Sequence, residues 1–161
     1  MSAHLRYSHA CILCIITRNE RNKITMADPI VTGGFHHLSL TVTDLKRARE
    51  FYTGLLGFKT IMEFGPTRVL LGDGSAVFGV GTAPDPGQAP RNDRFDENRV
   101  GLDHLSFSVA SRADLERAVR LFDEHGVPHG EIEDAGPAMR MYMLTFRDPD
   151  NTQLELTAPY A

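Results

Sequence analysis

Apolar and polar residues alternate along two stretches of this chain in the same way. Leu38, Leu40 and Val42 alternate with His37, Ser39 and Thr41, and Leu105, Phe107 and Val109 alternate with His104, Ser106 and Ser108. A period of two predicts a strand with one buried face. After each stretch the period lengthens to that of a helix: Leu45, Ala48, Tyr52 and Leu55 share one face, and Leu115, Ala118, Val119 and Phe122 share another. Aligned on His37 and His104, eight of the twelve positions from His37 to Ala48 are identical once Ser111 to Ala113 are set aside as an insertion. One supersecondary unit is therefore duplicated, with a histidine at the same place in each copy.

The remaining pattern completes both units. In the first, a strand over 36–43 leads to a helix capped by Thr43 or Asp44 and stopped at Gly57. Strands are predicted over Phe58–Phe64, Arg68–Leu71 and Ala76–Val80, with turns at Gly65-Pro66 and Gly72-Asp73-Gly74. Residues 83–100, rich in Pro, Gly, Asp and Arg, read as a linker. In the second unit a strand over 103–110 precedes a helix from Ser111 to His125, where Ser111 and Asp114 resemble a capping box. Strands near 127–132, 138–146 and 152–158 follow, the last entered through Asp148-Pro149-Asp150-Asn151. The prediction is an α+β fold of two βαβββ modules, 34–82 and 101–158, in a single domain over 29–161.

Alternation also selects a chemical face. With the leucines and Val42 against the helix, His37, Ser39 and Thr41 take the opposite side, as do His104, Ser106 and Ser108. In the last strand Leu154 and Leu156 pack inward, so Gln153, Glu155 and Thr157 join that polar face. If the two sheets curl toward each other, His37, His104 and Glu155 converge. Two imidazoles and a carboxylate suit Zn²⁺, Ni²⁺, Mn²⁺ or Fe²⁺, with positions left open for water or substrate. His36 competes as a ligand, although its parity places it with Leu38 and Leu40. Ser39, Ser106, Arg140 and Tyr142 are the candidate substrate-binding residues. Arg140 and Tyr142 share one parity, while Met139, Met141 and Met143 share the other and read as core packing. Which parity faces the cup stays open.

The residues that carry a family resemblance are Phe35-His36-His37-Leu38-Ser39-Leu40-Thr41-Val42-Thr43-Asp44-Leu45, Arg49-Glu50-Phe51-Tyr52 through Leu55-Leu56-Gly57-Phe58, Leu102-Asp103-His104-Leu105, and Phe146-Arg147-Asp148-Pro149-Asp150-Asn151 with Leu154-Glu155-Leu156. They resemble the vicinal oxygen chelate superfamily, the glyoxalase/bleomycin-resistance/dioxygenase family. The resemblance implies paired modules forming a cup around one divalent metal, with the ligand positions on His37, His104 and Glu155, and commonly a homodimer. It implies a lyase, isomerase or dioxygenase that chelates a small oxygen-bearing substrate and acts by Lewis-acid catalysis, with Glu155 as the catalytic group. The alternative is a drug-sequestering binding protein of the bleomycin-resistance kind, whose members usually lack the ligands. Glyoxalase I-like members add an acid from the first module. Here that place falls on Phe78 by the turns or on Gly79 by the apolar pattern, and neither side chain binds a metal. Ring-cleaving dioxygenases place a Tyr shortly before the Asp-Pro turn, for which Tyr142 is the nearest substitute.

Composition narrows the partners. A net charge of −4 over 161 residues, with no basic stripe, argues against nucleic acid. No apolar run approaches the roughly 20 residues that span a bilayer, so no membrane partner is expected. The two cysteines, Cys11 and Cys14, leave the modules without a disulfide framework, and a cytoplasmic location is expected. Residues 1–28 read as a flexible extension, within which Met26 is a possible natural start. Cys11-x-x-Cys14 with His9 would suggest zinc only with a second ligand pair at finger spacing, and none follows.

Overall fold

A computed structural model of the chain describes residues 30–160; His9, Cys11, Cys14 and Met26, and the expectations placed on them, lie outside the described residues. The described residues from His36 onward form one compact unit, which holds every strand and helix of both modules.

The first module runs β1 (Leu38–Thr41), α1 (Leu45–Glu50), β2 (Lys59–Glu63), β3 (Arg68–Gly72) and β4 (Val77–Gly81). The second runs β5 (Leu105–Ser108), α2 (Arg112–His125), β6 (Glu133–Asp134), α3 (Gly136–Met139), β7 (Met141–Arg147) and β8 (Gln153–Pro159). Each module forms a four-stranded mixed sheet, ordered β1-β4-β3-β2 and β5-β8-β7-β6. In each, the first strand pairs in parallel with the last, so β1 and β5 each keep one free edge. This is the expected duplicated α+β architecture.

Local chemistry explains the helix ends. Asp44 caps α1 by accepting from the Arg47 amide at 3.0 Å. The helix then widens into a π-turn over Phe51–Leu55, where the Thr53 hydroxyl donates to the Arg49 carbonyl at 2.8 Å. Gly57, at φ 74°, ends it. At α2 the expected capping box forms differently: the Ser111 hydroxyl donates to the Asp114 carboxylate at 2.6 Å and reaches no backbone amide.

Two predicted strands are corrected. The stretch 127–132 is reduced to one bridge, His129 with Phe146, and pairing resumes only at β6. The strand expected over 138–146 begins at Met141, because Gly136–Met139 coil into a helical turn with Pro137 at its start. Arg140, in the left-handed conformation at φ 53°, closes that turn.

Both sheets direct their apolar faces into one shared core. Leu40, Val42, Val69, Leu71, Phe78 and Val80 come from the first sheet, and Leu144, Phe146, Leu154 and Leu156 from the second. Phe107 of β5 meets Phe58 at 5.2 Å and Phe78 at 6.0 Å between ring centroids. Phe51 stacks on Phe146 at 6.5 Å. Inside that core, the Tyr52 hydroxyl donates to the buried Asp148 carboxylate at 2.9 Å and joins the π-turn after α1 to the turn before β8. With the apolar faces turned inward, the polar faces of both sheets lie on the outside: Ser39 and Thr41 on one and Ser106 and Ser108 on the other are exposed.

The loop after α2 carries a charge-dependent clamp. His129 Nδ1 lies 2.7 Å from the Gly130 carbonyl, and its Nε2 lies 3.2 Å from the Asp123 carboxylate. Both nitrogens face acceptors, so the backbone carbonyl first and Asp123 second favour the imidazolium and raise its pKa above 6.5. The clamp therefore stabilises fully below pH 6.5 and is lost as pH rises through the higher folded-state value. Thermal melts of the wild type and His129→Gln should differ most at the acidic end and converge in alkali. A gap that widens with pH would refute this assignment.

Candidate metal centre

Strand parity distributes the polar side chains as the alternation requires. On β8, Leu154 and Leu156 are buried and Glu155 is half-buried on the opposite face. Parallel pairing sets Ser106 of β5 beside Glu155, two residues beyond His104 and on the same face. There the His104 Nε2 faces a Glu155 oxygen at 4.0 Å. The other ring nitrogen, Nδ1, lies 2.6 Å from the Asp103 carboxylate. In the tautomer that donates from Nδ1 to Asp103, the Nε2 lone pair is directed toward Glu155. At 4.0 Å the nitrogen and the carboxylate make no hydrogen bond. They suit a cation between them, since donor atoms about 2.0–2.2 Å from one metal stand roughly 3–4 Å apart. A carboxylate behind a ligating histidine is a common support for such a ligand. Asp103 is thus a candidate support residue that the pattern of the sequence did not bring out, although its adjacency to His104 was the available signal.

His37 does not join this pair within one chain. It is exposed just before β1, with its Nδ1 2.8 Å from His36 Nδ1. Among the described residues no three His, Cys, Asp or Glu side chains gather as a metal-binding group. The expected convergence of His37, His104 and Glu155 by two sheets curling together is thereby corrected, because the sheets share their apolar faces and their polar faces lie outside. The His36 ring bonds to His37, and among the described residues it makes no hydrogen bond to the His104–Glu155 pair.

The register decides which residue occupies the first-module acid position. Ser39 pairs with Gly79 as Ser106 pairs with Glu155, so Gly79, not Phe78, is the counterpart of Glu155. Phe78 is buried in the core.

Two of the substrate-binding candidates are misplaced. Tyr142 shares the parity of the buried Leu144 and Phe146, packs against the core, and lies under the Arg112 guanidinium, 4.9 Å above its ring. Arg140 belongs to no strand and caps α3. The opposite parity, with Met141, Met143 and Thr145, carries the Glu155 side of β7, where Thr145 pairs with Glu155 and Met143 with Thr157. The methionines are therefore not core residues. The sequence left this parity undecided because methionine suits either side. Ser39 and Ser106 lie on the polar faces as expected.

A cavity of about 950 Å³ runs along the free edge of β1, from Leu38 to Thr43, against linker residues including Pro86, Pro90 and Val100. It reaches Ser39 and Thr41 but neither His104 nor Glu155, which lie on an open face.

The model of the Glyoxalase/Bleomycin resistance protein/Dioxygenase superfamily matches residues 34–156. The chain belongs to this superfamily. Among its relatives, the Uncharacterized protein YwkD of Bacillus subtilis (strain 168) is 32% identical over 127 residues, covering 75% of this chain and 93% of YwkD. A glyoxylase/bleomycin resistance protein/dioxygenase domain from Frankia sp. EAN1pec superposes with a TM-score of 0.64 at 31% identity, over 80% of this chain and 99% of that one. The lactoylglutathione lyase of Agrobacterium tumefaciens shares the fold, with a TM-score of 0.61 at 19% identity, over 80% of this chain and 95% of its own. Superfamily members include lyases and dioxygenases, act on small molecules and commonly use a divalent metal. Among the described residues no helix is long and apolar enough to cross a membrane.

Proposed function

We propose that this chain is one half of a divalent-metal-dependent enzyme of the glyoxalase/dioxygenase type, acting on a small oxygen-bearing substrate. In this reading the cup is closed by two copies, His37 of one meeting His104 and Glu155 of the other. The observation that carries it is the His104 Nε2 facing Glu155 at 4.0 Å while Asp103 holds Nδ1. That arrangement supplies two ligands and a support, lies on an open face, and lacks a third donor among the described residues of its own chain. The free edges of β1 and β5 adjoin His37 and His104 and give a second copy a place to pair.

Zn²⁺, Ni²⁺, Mn²⁺ or Fe²⁺ would fit this donor set and would supply Lewis acidity toward neighbouring substrate oxygens. The chain's own residues do the rest. Asp103 orients His104. Ser39 and Ser106 present hydroxyls to the substrate, and Met141 and Met143 form an apolar wall. Glu155 has a second oxygen with which to take or return a proton. With Gly79 in place of an acid, the set has three protein ligands rather than four, which favours a bidentate substrate. The sequestering alternative offers no use for the Asp103–His104–Glu155 arrangement.

Mixed pairing tests the shared site. His37→Ala and Glu155→Ala each disable every site in a homodimer, but a heterodimer of the two keeps one site intact. Co-refolding equal amounts should restore metal to about one quarter of the sites by random pairing, read by elemental analysis after gel filtration. No recovery in the mixture, with metal present in the wild type, would overturn the two-copy site.

A further inference from the structure

The vacated acid position is not empty space. On β3, Val69 and Leu71 are core residues, so Arg68 lies on the polar face, half-buried. It pairs with Gly81 on β4. Its side chain crosses β4 and donates from Nη1 to the Ser39 hydroxyl on β1 at 2.9 Å. Two glycines make this path. A Cβ at Gly81 would stand 3.0 Å from Arg68 Nε and 3.2 Å from Cγ, and a Cβ at Gly79 would stand 2.9 Å from Ser39 Oγ. Among the described residues no carboxylate lies within ion-pair distance of Arg68. A guanidinium carries five N–H donors in a planar fork, and a single hydroxyl uses one of them. The first module thus exchanges a negative ligand for a positive fork on the face that carries His37.

We propose that Arg68, laid across Gly79 and Gly81 onto Ser39, is an oxyanion-binding residue that holds a carboxylate or phosphonate group of the substrate beside the metal position. This deepens the function proposed above and rests on its choice of face. It makes the substrate an acid: one pair of oxygens for the cation and one anionic group for the fork, which matches carboxylate and phosphonate geometry in a bidentate way. Ser39 positions the guanidinium by accepting from it, and its own hydroxyl hydrogen remains available to the same anion.

The test uses metal-free full-length protein, so that a failed metal site and a failed anion site give different results. Acetate and methylphosphonate are titrated separately while the Ser39 and Gly79 amide resonances are followed by NMR. Saturable shifts are expected with at least one probe, and the responding probe names the headgroup. Arg68→Gln should bind that probe at least about tenfold more weakly, yet take up divalent metal as the wild type does. Where Arg68→Gln does not fold, Arg68→Lys carries the comparison, since it keeps the charge and loses the fork. Unchanged probe affinity in the folded variant, or no saturable shift in the wild type with either probe, would overturn the proposal.

Discussion

Replacing Asp148 by alanine is expected to destabilise the chain by about 3 kcal/mol or more, from about 1–3 kcal/mol for each buried donor left without a partner. Asp148 is 5% exposed. One oxygen accepts from the Asp150 and Thr152 amides at 2.9 and 2.7 Å, and the other accepts from Tyr52 at 2.9 Å. The turn it braces also holds Asp150, which accepts from the Thr43 amide at 3.0 Å and from Arg47 at 2.9 Å. Losing Asp148 therefore loosens the joint between the modules as well as the turn. Asp148→Asn should cost under about 1 kcal/mol, because the amide oxygen keeps both backbone donors and the Tyr52 hydroxyl can accept from the new N–H. Desolvation raises the Asp148 pKa above 3.8, against the opposing backbone and Tyr52 hydrogen bonds. The wild type should thus gain on Asp148→Asn as pH falls through the raised value, with the gain complete below 3.8. Urea unfolding measures both effects. Equal losses for the alanine and asparagine variants would sink the account.

The second large effect is on metal affinity. Glu155→Ala removes the one anionic ligand of the proposed set and should weaken divalent metal binding at least about 100-fold, and His104→Ala and His37→Ala should do likewise. Asp103→Ala, which leaves every ligand in place and frees only the ring of His104, should cost roughly 10-fold. Competition with a chelating dye resolves this ranking. Wild-type affinity in Glu155→Ala would remove the carboxylate from the site. An Asp103→Ala loss as large as that of His104→Ala would mean that Asp103 is a ligand rather than a support.

The duplicated fold was legible because its signal is local. Alternation in 37–42 and 104–109 specifies which side chains meet the core, and the buried Leu40, Val42, Leu154 and Leu156 follow it. The spatial relation between the two polar faces was not legible. Alternation says that His37 and His104 lie opposite the core of their own sheets, but not whether those sheets meet by their polar or their apolar sides. Phe58, Phe78 and Phe107 settle that by packing together. Parity also failed where the chain leaves the strand. Arg140 and Tyr142 alternate correctly on paper, but Pro137 starts a helical turn and Arg140 ends it, so only Tyr142 inherits a strand position. Arg68 could have been found by the rule that found Glu155, since Val69 and Leu71 flank its parity. An arginine among leucines and valines simply carried no motif to prompt the question.

The outermost strands of the two sheets are guarded against unwanted association. β2 carries Lys59 and Glu63 and an irregular register, and β6 is two acidic residues long. The strands at the opposite margins, β1 (Leu-Ser-Leu-Thr) and β5 (Leu-Ser-Phe-Ser), have neither charge nor proline. The margins at β1 and β5 thus carry none of the safeguards that β2 and β6 have. In the two-copy arrangement proposed above, these two margins would pair with each other and cease to invite other strands.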